Sequence, residues 1–287
     1  MTIFGMVTVE ASASYTVEAL FSFFQHTEFN KEEDKFFLID NDGYFFQHKK
    51  DIVESFPIKV IVNQSPKSFS QNGNQLIKKA LEAKDDLVFM NNDLIFSPNW
   101  FLPLRESKDS LVSPLSNREV QYGMSIVVSS TGAERESFVT KPTLSLSEYK
   151  ENPYSFLAIS YAHYKASEGY LQVAVLPFFC IKISYNVLQS VGGFDEGFSK
   201  AGGEDFDYSL RALLAGYPTY YALRSYLLHF YGKSSWDGAE SEEERRERES
   251  SFLSYFKSKW GEKLYKAIFE EKKELLTAGK SIKDNVE

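Results

Sequence analysis

Over the first hundred residues, apolar runs alternate with polar clusters and with stretches of helical period. Ile3-Phe4-Gly5-Met6-Val7-Thr8-Val9 predicts a buried strand, and Val17, Leu20, Phe21 and Phe24 follow at the i, i+3, i+4, i+7 spacing of an amphipathic helix. Phe36-Phe37-Leu38-Ile39 runs into Asp40-Asn41-Asp42-Gly43, and Ile58-Lys59-Val60-Ile61-Val62 runs into Asn63. Both predict strands with polar C-terminal ends. Leu76, Ile77, Ala80 and Leu81 mark a second helix, and Leu87-Val88-Phe89-Met90 predicts a strand that stops at Asn91-Asn92-Asp93. Strands alternating with helices predict an α/β chain with a mainly parallel sheet, helices covering its faces. Ligands bind beyond the carboxyl ends of such strands. Here those ends carry Glu10, Asp40, Asn63 and Asp93, so one edge of the sheet should collect polar and acidic groups.

From residue 109 to 172 the periodicity weakens, and the next clear run is Gln172-Val173-Ala174-Val175-Leu176. That is long for a plain loop, so the stretch is expected to carry short elements or a flap over the site. Tyr154, Tyr161, Tyr164 and Tyr170 within it could stack on a ligand or simply pack. Phe178-Phe179-Cys180-Ile181-Lys182-Ile183 predicts a further strand and residues 184–190 a short helix. Beyond Ser235 the chain reads as helical: residues 240–249 hold six Glu and three Arg, the pattern of a solvated face. Phe252, Tyr255, Phe256 and Trp260, then Leu264, Tyr265, Ile268 and Phe269, have the spacing of packing positions. Residues from 278 on are expected to fray.

Composition narrows the function. Hydrophobic residues make up 43% and charged residues 25%, but no stretch reaches the roughly 20 apolar residues of a membrane helix. The N-terminus has no signal-like pattern, and a single cysteine, Cys180, allows neither an internal disulfide nor a Cys-based zinc site. The expectation is a cytoplasmic protein without a transmembrane segment, which leaves peripheral membrane association open. With 32 Lys+Arg against 40 Asp+Glu the formal net charge is -8, the wrong sign for binding a nucleic-acid backbone. Acidity suits capture of a divalent cation and, through it, a phosphorylated ligand.

Three constellations could carry chemistry. Asp93 ends an apolar strand beside Asn91 and Asn92, where a carboxylate can share Mg²⁺ or Mn²⁺ with phosphate oxygens; the same tripeptide also suits an ordinary turn. Val191-Gly192-Gly193-Phe194-Asp195-Glu196 precedes Gly202-Gly203-Glu204-Asp205-Phe206-Asp207, which opens a helix with apolar Phe206, Leu210, Leu213 and Leu214. Glu204 and Asp205 there could stabilise the helix dipole or present a general base. Asp207 and Arg211 form an i, i+4 pair. His229 ends a third apolar run, as a structural residue or an imidazole ligand to the same cation.

In this order the motifs resemble glycosyltransferase family 2, nucleotide-sugar-dependent enzymes of GT-A fold. The resemblance rests on Asn91-Asn92-Asp93 with Pro98-Asn99-Trp100, Val191 to Glu196, Gly203 to Asp207 with Arg211, Ala215-Gly216-Tyr217, and His229 with Gly232 and Ser234. It implies inverting transfer of a sugar from a nucleoside diphosphate-sugar to a saccharide or glycan acceptor hydroxyl, with Mn²⁺ or Mg²⁺ as cofactor. By similarity Glu10 and Asp40 lie at the base and ribose, and Asn72 and Asn92 near the donor. Asp93 and His229 hold the metal, Asp205 is the base, and Glu204 orients it. Residues 1–235 would form the GT-A domain, divided into a nucleotide-sugar half (1–108) and an acceptor half (109–235), with a helical C-terminal extension over 236–287. Two departures stand out: Asn91 replaces the first acidic residue of the metal motif, and Glu10-Ala11-Ser12 replaces the family's usual residues after the first strand. The competing readings are a non-catalytic carbohydrate-binding protein of the same fold and a nucleotidyltransferase. The latter would call for a Gly-rich basic loop after the first strand, where Glu10-Ala11-Ser12-Ala13-Ser14 has neither Gly nor Lys.

Overall fold

A computed structural model describes residues 1–117, 145–166, 168–198, 202–233 and 241–271. Four strands, β1 (Thr2–Thr8), β2 (Lys35–Asp40), β3 (Ile58–Val62) and β4 (Asp86–Met90), pair in parallel in the order β3-β2-β1-β4. Their connections are α1 (Ala13–His26), α2 (Tyr44–His48), α3 (Lys50–Ser55) and α4 (Phe69–Ala83). Alternate residues of each strand enter opposite cores. Ile3, Phe37, Ile39, Leu87 and Phe89 pack with Leu76 and Ile77 of α4, whereas Phe4, Met6, Phe36, Leu38, Val88 and Met90 pack with Leu20 and Phe23 of α1. Burial on both faces is the reason these strands read as unbroken apolar runs.

The second half extends the same sheet with mixed direction. It contributes β5 (Leu94–Ile95), α5 (Phe101–Glu106), β6 (Leu111–Ser116), α6 (Leu146–Glu151), α7 (Pro153–Ala166) and β7 (Tyr170–Gln172). There follow β8 (Cys180–Ile183), α8 (Tyr185–Val191), α9 (Glu204–Leu214) and β9 (Thr219–His229). Strand β8 runs antiparallel to β4 and β6, while β9 is parallel to β6 and antiparallel to β5 and β7. The α/β expectation therefore holds, with the parallel pairing concentrated in the first half.

Three readings change. The run at 172–176 is strand only up to Gln172; Val173, Ala174 and Leu176 are buried without being in a ladder. The run at 178–183 becomes strand only from Cys180. The unassigned stretch begins with β6, a fully buried strand between β8 and β9. Its remainder holds α6 and α7, and residues 118–144 lie outside the described residues, as do those from 272 on.

After β9 the chain forms α10 (Glu242–Tyr265), opened by a capping box in which Ser241 Oγ accepts from the Glu244 N–H. The helix kinks at Gly261, where φ is 82°, and continues as a π-helical turn over Lys266–Glu271. Its charged first turns are exposed, as their composition implies. Phe256, Trp260, Leu264 and Ile268 close a third core over Phe198 and Leu210 of the sheet domain.

Candidate functional site

The alternating directions bring the C-terminal ends of β1, β2, β4, β6 and β9 to the edge where β8 begins. Asp93 and His229 meet there. Leu94 and His229 are register partners in the β5–β9 pair, which sets the two side chains beside each other. Asp93 Oδ1 lies 3.3 Å from His229 Nε2, both side chains are buried, and neither atom has a hydrogen-bond partner. The other Asp93 oxygen accepts the Lys233 N–H at 3.2 Å. Burial alone would push the Asp93 carboxyl up, but the adjacent imidazole and the N–H groups outweigh it and hold it below its ordinary value. The imidazole is fixed by stacking on Phe179 at 5.1 Å between ring centroids, and its backbone N–H donates to Asn117 Oδ1 at 2.8 Å.

Two buried atoms that among the described residues face only each other, one imidazole nitrogen and one carboxylate oxygen, are a donor set that Mn²⁺ or Mg²⁺ accepts. Among the described residues no cluster of three or more such side chains exists. A cation here would take two ligands from the described residues, leaving positions for phosphate oxygens and water. Asn91, at the first position of the motif, is tied by its backbone N–H to the Phe179 carbonyl at 2.7 Å.

The expected donor contacts are arranged differently from one another. Glu10 is exposed, in a 3-10 turn directly after β1, and its backbone N–H donates to Asp42 Oδ2 at 2.8 Å. Asp40 is fully buried, and its oxygens accept the N–H groups of Gly43 (3.1 Å) and Phe46 (2.8 Å), closing the turn that starts α2. Burial raises its pKa despite those bonds. Asn92 is buried, its amide donating to Ser12 Oγ at 2.6 Å and Thr16 Oγ1 at 2.8 Å. Asn72, also buried, donates to Asn41 Oδ1 and the Lys67 carbonyl and accepts from Asn63 and Gln75. For Asp40, Asn72 and Asn92 the donor-contact expectation thus meets polar groups whose hydrogen bonds are made inside the protein. Glu10 alone of the four presents its carboxylate to solvent.

Glu204 and Asp205 open α9 after the turn at Gly202 and Gly203, both at positive φ. Glu204 is buried, and its carboxylate accepts the Gly202 N–H at 2.5 Å; burial pushes its pKa up. Asp205 is half-buried and accepts its neighbour Phe206 N–H, at 2.8 Å. Burial, and then the Glu204 charge beside it, raise the Asp205 carboxyl to about 8. The two adjacent carboxyls thus resist ionising together.

Helix α9 and the Asp93–His229 pair are joined by consecutive residues. Phe179 stacks on His229, and Phe178 packs on Tyr208 of α9 at 5.9 Å and on Phe194 at 5.7 Å. Phe194 docks on α4: Asn74 Oδ1 accepts its N–H at 2.7 Å, and Asn74 Nδ2 donates to its carbonyl and to Glu196. Gly73 leaves room for the ring, since a Cβ there would stand 2.6 Å from Phe194 Cε2. From the sequence, Asn72-Gly73-Asn74 counts as a weaker part of the resemblance, but no role is assigned there to Asn74, to Phe179 or to the Lys233 N–H. Tyr154, Tyr161 and Tyr170 are all exposed, Tyr170 donating to the Pro103 carbonyl at 2.8 Å. Ser234 lies outside the described residues.

No protein-family model and no curated protein matches the chain by sequence. Solved structures do match it in fold. GalNAc-T7 with UDP, GalNAc and Mn²⁺ aligns at TM-score 0.61 and 17% identity, covering 94% of this chain and 49% of that one. The mannosyltransferase PcManGT from Pyrobaculum calidifontis with GDP-Man and Mn²⁺ aligns at 0.56 and 10%, covering 88% and 63%. S. aureus TarS 1-349 with UDP-GlcNAc aligns at 0.54 and 11%, covering 95% and 74%. The chain thus spans about half the length of GalNAc-T7 and under two thirds of PcManGT. At these identities the likeness is one of architecture, and its conclusion is that this chain has the GT-A fold of the glycosyltransferases.

Proposed function

We propose that the chain is a glycosyltransferase that moves a sugar from a nucleoside diphosphate-sugar to an acceptor hydroxyl with inversion, in glycan or polysaccharide synthesis. The observation that carries the reading is the buried, unpartnered Asp93–His229 pair at the carboxyl edge of a GT-A sheet. Asp93 and His229 would hold Mn²⁺ or Mg²⁺, which supplies charge stabilisation to the departing diphosphate. The neighbouring folds crystallised with UDP, GDP-Man and UDP-GlcNAc support a nucleotide donor at this edge. Glu10 would contact that donor directly. Asp40, Asn72 and Asn92 would shape its pocket through the internal hydrogen bonds they make.

Asp205 would take the acceptor proton. A carboxyl raised to about 8 is a stronger base once ionised than an ordinary aspartate. Glu204, held by the Gly202 N–H, would keep that carboxyl destabilised and oriented.

A screen of UDP- and GDP-sugars for metal-dependent donor hydrolysis, with calorimetry of the matching nucleoside diphosphate, tests the reading. Nucleotide affinity should fall on chelation, and Asp93→Ala should bind with metal no better than wild type without it. Equal affinity in all three conditions would remove the cation from Asp93.

A further inference from the structure

A second set of charged side chains converges where α10 packs against α9. Lys259 Nζ lies 2.7 Å from Asp207 Oδ1 and also pairs with Asp195 Oδ2. Asp207 is fully buried and has two further donors, Trp260 Nε1 at 3.0 Å and Arg211 Nε at 2.8 Å. Arg211 carries the connection onward to the carbonyls of Val191 and Gly193, each at 2.9 Å. Asp195 in turn accepts the Gly197 N–H at 2.8 Å and the Tyr255 hydroxyl at 3.1 Å.

One ammonium therefore ties the segment before the Gly202–Gly203 turn to the first turn of the helix after it. Lys259 suits this because an ammonium has three donors and no acceptor, and can serve two carboxylates at once. From the other side Phe252 of α10 presses on the turn, where a Cβ at Gly202 would stand 2.8 Å from its ring. Asp205 sits two residues before Asp207, inside the clamped turn. Buried ion pairs contribute little net stability but can select one arrangement among several.

We propose that Lys259 is a positioning residue for glycosyl transfer: by joining Asp195 to Asp207 it fixes the first turn of α9, and so holds Asp205 in register with the Asp93–His229 pair. The proposal rests on the transfer reading above. It separates two properties of the protein. Nucleotide and cation binding belong to Asp93 and His229, on other elements, and do not need Lys259. Placement of the base does, and misplacement by about 1 Å can cost roughly 10² in rate.

The experiment is full-chain Lys259→Met, which keeps most of the aliphatic stem, alongside Lys259→Arg, assayed with a donor from the screen. In Lys259→Met, kcat should fall about 10-fold to 10²-fold. Donor KM and the Kd for UDP or GDP with Mn²⁺ should stay within about twofold of wild type, while Lys259→Arg, whose guanidinium can still bridge two carboxylates, recovers most of kcat. Wild-type kcat in folded Lys259→Met overturns the proposal, as does a Kd that rises in step with the loss of rate. If Lys259→Met melts below the assay temperature, Asp195→Asn leaves Asp207 fully partnered and carries the same expectation and the same overturning results. A wild-type protein that hydrolyses no nucleotide sugar defeats the transfer reading instead, before any variant is compared.

Discussion

Asp205 and His163 are both held away from their ordinary protonation, and they push stability in opposite directions with pH. Asp205 binds its proton more tightly folded than unfolded, so its contribution is full below about pH 4 and is lost as pH rises through about 8. Asp205→Asn removes that loss. Its stability relative to wild type should increase between pH 5 and pH 9, by more than about 1 kcal/mol in urea titrations, while its rate drops about 10²–10⁴-fold. A variant that loses stability relative to wild type over that range would contradict the burial of this carboxyl. In wild type the kcat/KM profile should rise with pH toward about 8, the base being active only when ionised. His163 of α7 is buried, stacked on Tyr226 at 4.9 Å, and burial lowers its pKa to about 4. Its contribution is present above pH 6.5 and is lost as pH falls toward 4, about 2 kcal/mol between pH 7 and pH 5. His163→Phe should flatten that part of the stability profile, and an unchanged slope would point to other groups.

At the level of elements, the docking of residues 192–196 on α4 is a close approach between a helix backbone and an aromatic ring. Gly73→Ala should gain helix propensity of about 1 kcal/mol but force Phe194 aside, for a net destabilisation of about 1–2 kcal/mol. A more stable Gly73→Ala by thermal melting would show the ring to be free to move. This contact explains Gly73, and also Gly193, where a Cβ would stand 2.6 Å from Asn74 Oδ1. The strands β1 to β4 were legible because both their faces are buried, which leaves an uninterrupted apolar run. Strand β6 was not: Leu111-Val112-Ser113-Pro114-Leu115-Ser116 looks like a turn, yet every position is buried, with Ser113 Oγ bonded to the Pro114 carbonyl. The ladder to β9 shifts register between Pro114 and Leu115, and that irregularity accommodates the proline. Helix α7 escaped for the opposite reason, since Phe156, Leu157, Ile159, Tyr154 and Tyr161 blur its amphipathic period. Among site residues Asp93, His229, Glu204 and Asp205 stood out through motif order. The roles of Lys259 and Asp195 needed the fold, because their partnership spans 64 residues of chain.

Over the whole molecule, α10 is continuous with the GT-A core rather than appended to it. Trp260 and Phe256 share a core with Phe198 and Leu210, and Lys259 closes an ion-pair network with α9. The Asp93–His229 pair, too, is assembled from distant chain: the Lys233 N–H reaches Asp93 across 140 residues, and Asn117 reaches His229 across 112. Contacts of such separation form late in folding, because a long loop must close before they repay its entropy. During synthesis, Asp93 leaves the ribosome with its strand long before β9 exists to cover it, so an incomplete chain holds an isolated carboxylate. Refolding followed by Mn²⁺-dependent nucleotide binding should therefore lag behind pulsed hydrogen-exchange protection of the β1 and β2 amides, which pair with each other across the first half of the sheet, and simultaneous recovery would refute this order. Competence to bind the donor then certifies that the last strand has been laid into the sheet, and a cation that binds only the finished chain draws the folding equilibrium toward completion.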